Sequence, residues 1–432
     1  MLPFTMFRGT TGDRDMTASP HPLLMGRRGL CAGILAAAFS LPLAACSPAT
    51  SPAGSKAGST STAAGSATSS SQSNTKQPSF RNTDLGCGWE PTESFALDYA
   101  QNFTVDRYDG GYQLACISNG ERFLVVPEGK DDPDGLAEDI ALVRQPLTSV
   151  YLVSTGMICL LDEIGALDAV TVSSVTADDS PVEDLTQAIQ AGSVAYGGKY
   201  SSPDFELVAE RGCTLAIENT KINHAPDIKQ KLQDLGVTVL TEQSSSEPEA
   251  LGRLEWLKLM GVLFGRETEA ETSFERIAER VEAVASQEPT GKTVAFFYIN
   301  DDGAAVTRRS TDYFSQMIEL GGGTLISFDP TEENDGSSSV QAVIDMEAFY
   351  AGAKDADVII YNTTVDASVT SLDDLVAKNA LLADFKAVQQ GAVYACDEHM
   401  YQRMTDMDEI LGDIRAALEG TGESAGFIWR LG

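Results

Sequence analysis

The sequence predicts an α/β protein of two Rossmann-like lobes joined by a helical backbone segment, with a small N-terminal β-meander. Three observations predict it. Short β-branched runs alternate with helical periodicity from residue 150 and again from Lys292, the pattern of βαβ units around buried parallel sheet. Residues 247–287, between the two series, carry helical stripes and no strand signal. Residues 103–126 alternate apolar and polar positions across two turn signals, Asp109-Gly110-Gly111 and Ser118-Asn119-Gly120, as hairpins do.

In chain order, Arg27-Arg28 precedes a mostly apolar run that ends in Leu43-Ala44-Ala45-Cys46. The run is short for a ~30 Å hydrocarbon layer and reads as a signal peptide over residues 1–46. Its last four residues resemble a lipobox, in which the Cys46 thiol accepts the lipid. Ser, Ala, Gly and Thr then dominate, too little apolar surface to offset ordering entropy, so 47–85 is expected to be a disordered tether. An N-terminal lobe is expected over 86–246, with strands at 150–153, 169–173, 214–218 and 237–240 and helices at 157–164, 203–211 and 225–235. Connecting helices fill 247–287. Ser246 and Pro248 mark their start; Leu251, Leu254, Leu257, Met260 and Phe264 form one apolar stripe, and Phe274, Ile277, Ala278, Val281 and Val284 another, with a break at Gly265. A helical crossing predicts a stiff hinge. The C-terminal lobe is expected over 288–432, with strands at 293–299, 324–328, 357–361 and 392–396 and helices at 312–320, 346–353, 372–390 and 404–418.

With 30 Lys and Arg against 63 Asp and Glu, the net charge is −33, which argues against nucleic acid as a partner. Cys31 goes with the signal and Cys46 with the lipid, leaving an odd five, so at least one thiol is free or pairs between chains. Cys87 and Cys116 could bridge; Cys159, Cys213 and Cys396 sit in apolar patterns as small buried hydrophobes. His224 and His399 are poor material for a transition-metal site, and no resident metal or cofactor is expected. Zinc-protease, P-loop and dinucleotide fingerprints are missing, and the Gly-x-Ser-x-Gly run at residues 422–426 follows the helix expected over 404–418 rather than a strand, as a nucleophile elbow would, so no enzyme is expected. Gly321-Gly322-Gly323 follows a helix, where glycine supplies a stop. The acidic run 329–336 fails the spacing of a calcium loop and reads as solvated.

Ligands of open α/β sheets bind past the carboxyl ends of the strands. That rule selects Ser154, Thr155, Lys199 and Tyr200 in the first lobe, and Tyr298, Arg308, Arg309, Tyr313, Tyr361 and Tyr401 in the second. Arginine pairs with carboxylate or other anionic groups, and tyrosines offer flat amphipathic surface to a large conjugated ligand. For any one tyrosine a core or rim place competes with this role, and Arg308-Arg309 could equally be a solvated pair.

Four stretches, in order, carry a resemblance: Lys199-Tyr200-Ser201-Ser202-Pro203-Asp204-Phe205-Glu206; Leu254-Glu255-Trp256-Leu257-Lys258-Leu259-Met260-Gly261; Tyr313-Phe314-Ser315-Gln316-Met317-Ile318-Glu319-Leu320-Gly321-Gly322-Gly323; and Asp384-Phe385-Lys386-Ala387-Val388-Gln389-Gln390-Gly391. From about Leu97 to the C-terminus the chain resembles the class III, helical-backbone substrate-binding proteins of ABC importers. The resemblance implies a receptor lipid-anchored at the outer face of the cell membrane. It would capture an iron chelate or haem, and less readily a corrinoid, between its lobes, with any iron or cobalt belonging to the ligand. It also implies an ABC permease and its ATPase as partners, docked through a glutamate near the start of a surface helix in each lobe. Glu206 and Glu347 match those places, in helix-then-strand units of similar length; complementing the helix dipole is the competing role. A monomer is expected. A surface adhesin or sensor module is the alternative, ahead of a zinc or manganese receptor and an exported hydrolase.

Overall fold

The computed structural model describes residues 78–310, 312–328, 341–422 and 426–432. The signal peptide with Cys46, the tether up to residue 77 and the acidic run 329–336 lie outside the described residues.

Strands β1 (Glu93–Ser94), β2 (Phe103–Arg107), β3 (Gln113–Ile117), β4 (Arg122–Val126) and β5 (Ile140–Arg144) form one sheet in that order. The first four are antiparallel, and β5 returns parallel to β4, so the meander is larger than its turn signals suggest. The tether ends sooner than its composition predicts. Leu85 has no exposed surface, and the Arg81 guanidinium pairs with buried Asp106 at 2.5 Å.

The N-terminal lobe follows with β6 (Val150–Leu152), α1 (Ile158–Glu163), β7 (Val170–Ser173), α2 (Glu183–Gln190), β8 (Ala195–Tyr196), the hairpin β9 (Gly198–Lys199) and β10 (Ser202–Pro203), α3 (Phe205–Glu210), β11 (Leu215–Glu218), α4 (Pro226–Asp234) and β12 (Thr238–Thr241). Its sheet is parallel, in the order β12-β11-β6-β7-β8. The expected strands and helices are present; α2, β8 and the hairpin are additions.

Helices α5 (Ala250–Phe264) and α6 (Glu267–Ala285) connect the lobes. Gly265 ends α5 in a left-handed conformation, φ 67°, which glycine adopts without strain. The sequence shows one apolar stripe on α5, yet Ala250 through Leu263 are all buried. The meander and the chain leading to it cover the charged face: Phe103 packs edge-on against Trp256 at 5.1 Å. Glu255 accepts hydrogen bonds from the backbone N–H groups of Asp98, Tyr99 and Ala100 (3.0, 2.9 and 2.8 Å), and Glu247 accepts those of Gln101 and Asn102 (2.8 and 3.0 Å). Buried carboxylates need such partners.

The C-terminal lobe comprises β13 (Lys292–Ile299), β14 (Ala305–Arg308), α7 (Tyr313–Leu320), β15 (Gly323–Leu325), β16 (Gln341–Ile344), α8 (Met346–Ala353), β17 (Val358–Tyr361), α9 (Leu372–Lys378), α10 (Lys386–Gln389), β18 (Val393–Cys396), α11 (Met407–Glu419) and β19 (Ile428–Arg430). A parallel centre of β13, β15, β17 and β18 carries antiparallel β14, β16 and β19 at its sides. The single helix expected over 372–390 is broken, because Asn379 leaves the helical conformation and its side chain caps a new turn at Leu381 N–H. One apolar core runs from the N-terminal lobe through α5 and α6 into the C-terminal lobe, joining Leu152, Ile217, Trp256, Phe274, Phe296 and Ile360. Cys159, Cys213 and Cys396 are buried, as expected; Cys87 and Cys116 are free thiols rather than the bridge the sequence allowed.

Candidate functional site

Parallel strands of both lobes bring their carboxyl ends to loops that meet beside α5. From the N-terminal lobe comes the loop after β6, residues 154–156. Ser154 is almost fully buried and donates from Oγ to Glu242 at 2.9 Å; Thr155 opens the turn into α1 and is half-buried. A Cβ on Gly156 would lie 3.7 Å from Arg253 Nη2 and 3.6 Å from Met404 Cε. This loop therefore abuts both the connecting helix and the C-terminal lobe at one seam.

The C-terminal side of the seam is built from α7, the end of β14 and the segment after β18. Tyr313 and Tyr401 face each other edge-on, centroids 6.2 Å apart. The Arg308 guanidinium lies 5.0 Å from the Tyr401 ring centre and 3.7 Å from the Asp312 carboxylate. Asn362 Nδ2 donates to the Tyr401 hydroxyl at 3.4 Å. Tyr313, Phe314, Met317, Met400, Tyr401, Met404, Met407 and Ile410 close here on a void of about 10 Å³, too small for one water. A flat, apolar molecule would enter here only if this wall of aromatic faces parts, a repacking that flexible, polarisable methionine side chains favour.

The electrostatics keep this wall neutral and its rim cationic. Burial raises the Tyr401 and Tyr313 hydroxyls above the ordinary tyrosine range despite the opposing pull of Arg308 and Arg253. For Arg308, burial opposes the charge, but Tyr401, Asp312 and Tyr313 more than offset it and raise its pKa. Burial raises Asp312, with Arg308 opposing.

Of the sequence-selected residues, Ser154, Thr155, Arg308, Tyr313 and Tyr401 are at or beside the seam. Tyr361 is not: it is fully buried, donates to Asp366 at 2.6 Å and accepts from Ile299 N–H at 3.1 Å, so it closes the core below the strand end. Tyr298 is half-buried against the same second core. Tyr200 packs, half-buried, against the core cluster that holds Tyr151 and Val208, and Lys199 is exposed on the β9–β10 hairpin. Arg309 turns towards β16, where Nε donates to the Gln341 carbonyl at 3.3 Å.

Arg253 is the residue the sequence reading missed. It projects from α5 with its guanidinium 4.4 Å from the Tyr313 ring centre, Nε donating to Met404 Sδ (2.8 Å) and Nη2 to the Tyr401 carbonyl (3.0 Å). Its signal was a basic residue set between Leu251 and Leu254 in an otherwise apolar helix.

Glu206 and Glu347 are both exposed in the first turn of their helices. The two starts share one construction. Asp204 caps α3 by accepting from Leu207 N–H at 3.0 Å, and Asp345 caps α8 by accepting from Ala348 N–H at 2.9 Å. Each helix leads into a central parallel strand, so each N-terminus lies at the carboxyl edge of its sheet.

A family model described as "Periplasmic binding protein" matches residues 150–400, more than half of the chain. An uncharacterized lipoprotein of Methanocaldococcus jannaschii is 25% identical over 349 residues, covering 74% of this chain and 81% of the relative. Among solved structures, a periplasmic haem-binding protein from Pseudomonas aeruginosa aligns with a TM-score of 0.50 at 16% identity, over 66% of this chain and 98% of that one. A periplasmic binding protein from Veillonella parvula aligns at 0.51 and 17%, over 68% and 98%. These structural likenesses carry the two-lobe fold.

Proposed function

The chain belongs to the periplasmic binding protein family, whose members bind solutes and are not enzymes, and from that premise we propose that it is the receptor of an ABC importer, capturing an iron chelate or haem, and less readily a corrinoid, at the seam. The clustering of Arg308 on the Tyr401 ring, with Tyr313 and four methionines beside it at the seam, carries this reading. Guanidinium suits the anionic groups of such ligands, and the aromatic and thioether wall suits their flat bodies. The haem-binding character of a solved relative supports it. Among the described residues no helix is long and apolar enough to cross a membrane; attachment at the outer face through Cys46 is supported by the lipobox-like run and by lipoprotein relatives.

Thermal shift of the purified full chain against haem, ferric siderophores and cobalamin tests the ligand class. A ligand at about 100 times its Kd stabilises the native state by about 2.7 kcal/mol, and Arg308→Ala should abolish most of the shift. No shift with any of the three would remove the proposed class.

Glu206 and Glu347 are proposed to orient the receptor on cationic groups of the permease. Exposed charges of this kind govern association rate and orientation. Glu206→Arg with Glu347→Arg should leave the thermal shift intact and slow uptake in cells; unchanged uptake would end the docking role.

A further inference from the structure

Three basic residues among those described are buried: Arg122, Arg253 and Lys258, at 5, 8 and 4% exposure. Arg122 pairs with Asp139 at 2.8 Å, and Lys258 with Glu255 and Glu271 at 3.1 and 3.2 Å. Arg253 alone of the three has only neutral hydrogen-bond acceptors, the Tyr401 carbonyl and the Met404 sulfur. A buried charge without a counter-ion is costly, and it is the more unexpected in a chain with 63 carboxylate side chains and 30 basic ones. The nearby carboxylate Asp312 is shared with Arg308. Two guanidiniums and one carboxylate thus border the Tyr313–Tyr401 pair, an excess of one positive charge beside those rings, while the carboxylate of the facing loop, Glu242, is engaged by Ser154 and the Ser244 N–H.

The place of Arg253 gives that excess a use. It comes from the connecting helix, lies against Gly156 of the N-terminal lobe, and touches Tyr313, Tyr401 and Met404 of the C-terminal lobe. Its helix is fastened through Glu255, and the turn leading into it through Glu247, to five consecutive backbone N–H groups, residues 98–102. A charge fixed at a three-way junction is preorganised for a counter-ion.

We propose that Arg253 determines the charge specificity of the seam: the site takes a flat ligand bearing a carboxylate or comparable anionic oxygen group, which supplies the counter-ion the protein withholds. The inference rests on the seam being the ligand site and assigns its selectivity to a residue of the hinge helix.

Ferric protoporphyrin IX and its dimethyl ester, alike in shape but differing in their carboxylates, are the probes, with quenching of tryptophan fluorescence as the readout on the full chain. The wild type should bind the diacid at least about tenfold more tightly than the ester, and Arg253→Gln should erase that preference by weakening the diacid more than the ester, as loss of a buried charge partner demands. Retained ester binding also shows the variant to be folded, and Arg253→Lys should restore part of the preference. An Arg253→Gln protein that binds the ester and still discriminates as the wild type does would overturn the assignment. Equal binding of both probes by the wild type would also overturn it while leaving the seam as a binding site. Binding of neither probe by the wild type would overturn the flat-ligand assignment, while the seam reading would then fall only if ferric siderophores and cobalamin also fail to shift the melting temperature.

Discussion

Glu218 shows what a single buried group does to this protein. It ends β11 with no exposed surface, and neither carboxylate oxygen has a hydrogen-bond partner. Burial raises its pKa to about 8, with Lys229 opposing. Because the folded value lies above the unfolded one, its contribution to stability is fully present below the unfolded pKa of about 4.3 and is lost as pH rises through about 8. Glu218→Gln should therefore gain about 1–3 kcal/mol over the wild type at pH 9 and little at pH 4. Denaturant titrations at the two pH values check this, and a gain that does not depend on pH would contradict it. At this scale the sequence was legible where local spacing decides the outcome: Arg308, Tyr313 and Tyr401 follow from strand ends and helix starts. Tyr361 was misread because a strand end does not reveal which way its last side chain points. Arg253 stayed hidden because only tertiary packing shows that the polar face of α5 is covered.

Among the elements, α5 departs most from its pattern. Arg253, Glu255 and Lys258 look in sequence like a solvated face, yet they are the residues that fasten the chain before β2 and the seam to the same helix. Removing Glu255 strands three N–H groups and leaves Lys258 with Glu271 alone. Glu255→Ala should cost about 3–5 kcal/mol, read as a lowered denaturant midpoint; a loss under about 1 kcal/mol would show the clamp to be incidental. The parallel strands were legible because most are short, largely apolar runs set between helical stretches. The antiparallel additions β14, β16 and β19 were not, since short strands at the side of a sheet take their pairing from distant partners.

For the whole molecule, the order of lobes and connector was legible because each series has its own periodicity, while the extent of the covering around the connector was not. The continuous core through α5 and α6 leaves little freedom for the lobes to swing. Small-angle scattering with and without a ligand that raises the melting temperature should show no compaction beyond about 1 Å in radius of gyration, as in other preorganised binders; a change of several ångström would contradict a stiff hinge.

That shared interior has a bearing on how such a receptor can change over time. Since Trp256 and Phe274 belong to the same packed cluster as Leu152 on one side and Phe296 on the other, neither half owns its stability. Grafting one half onto a foreign counterpart would expose unmatched apolar surface, so new cargo preferences are expected to arise by point changes at the seam rather than by recombining halves.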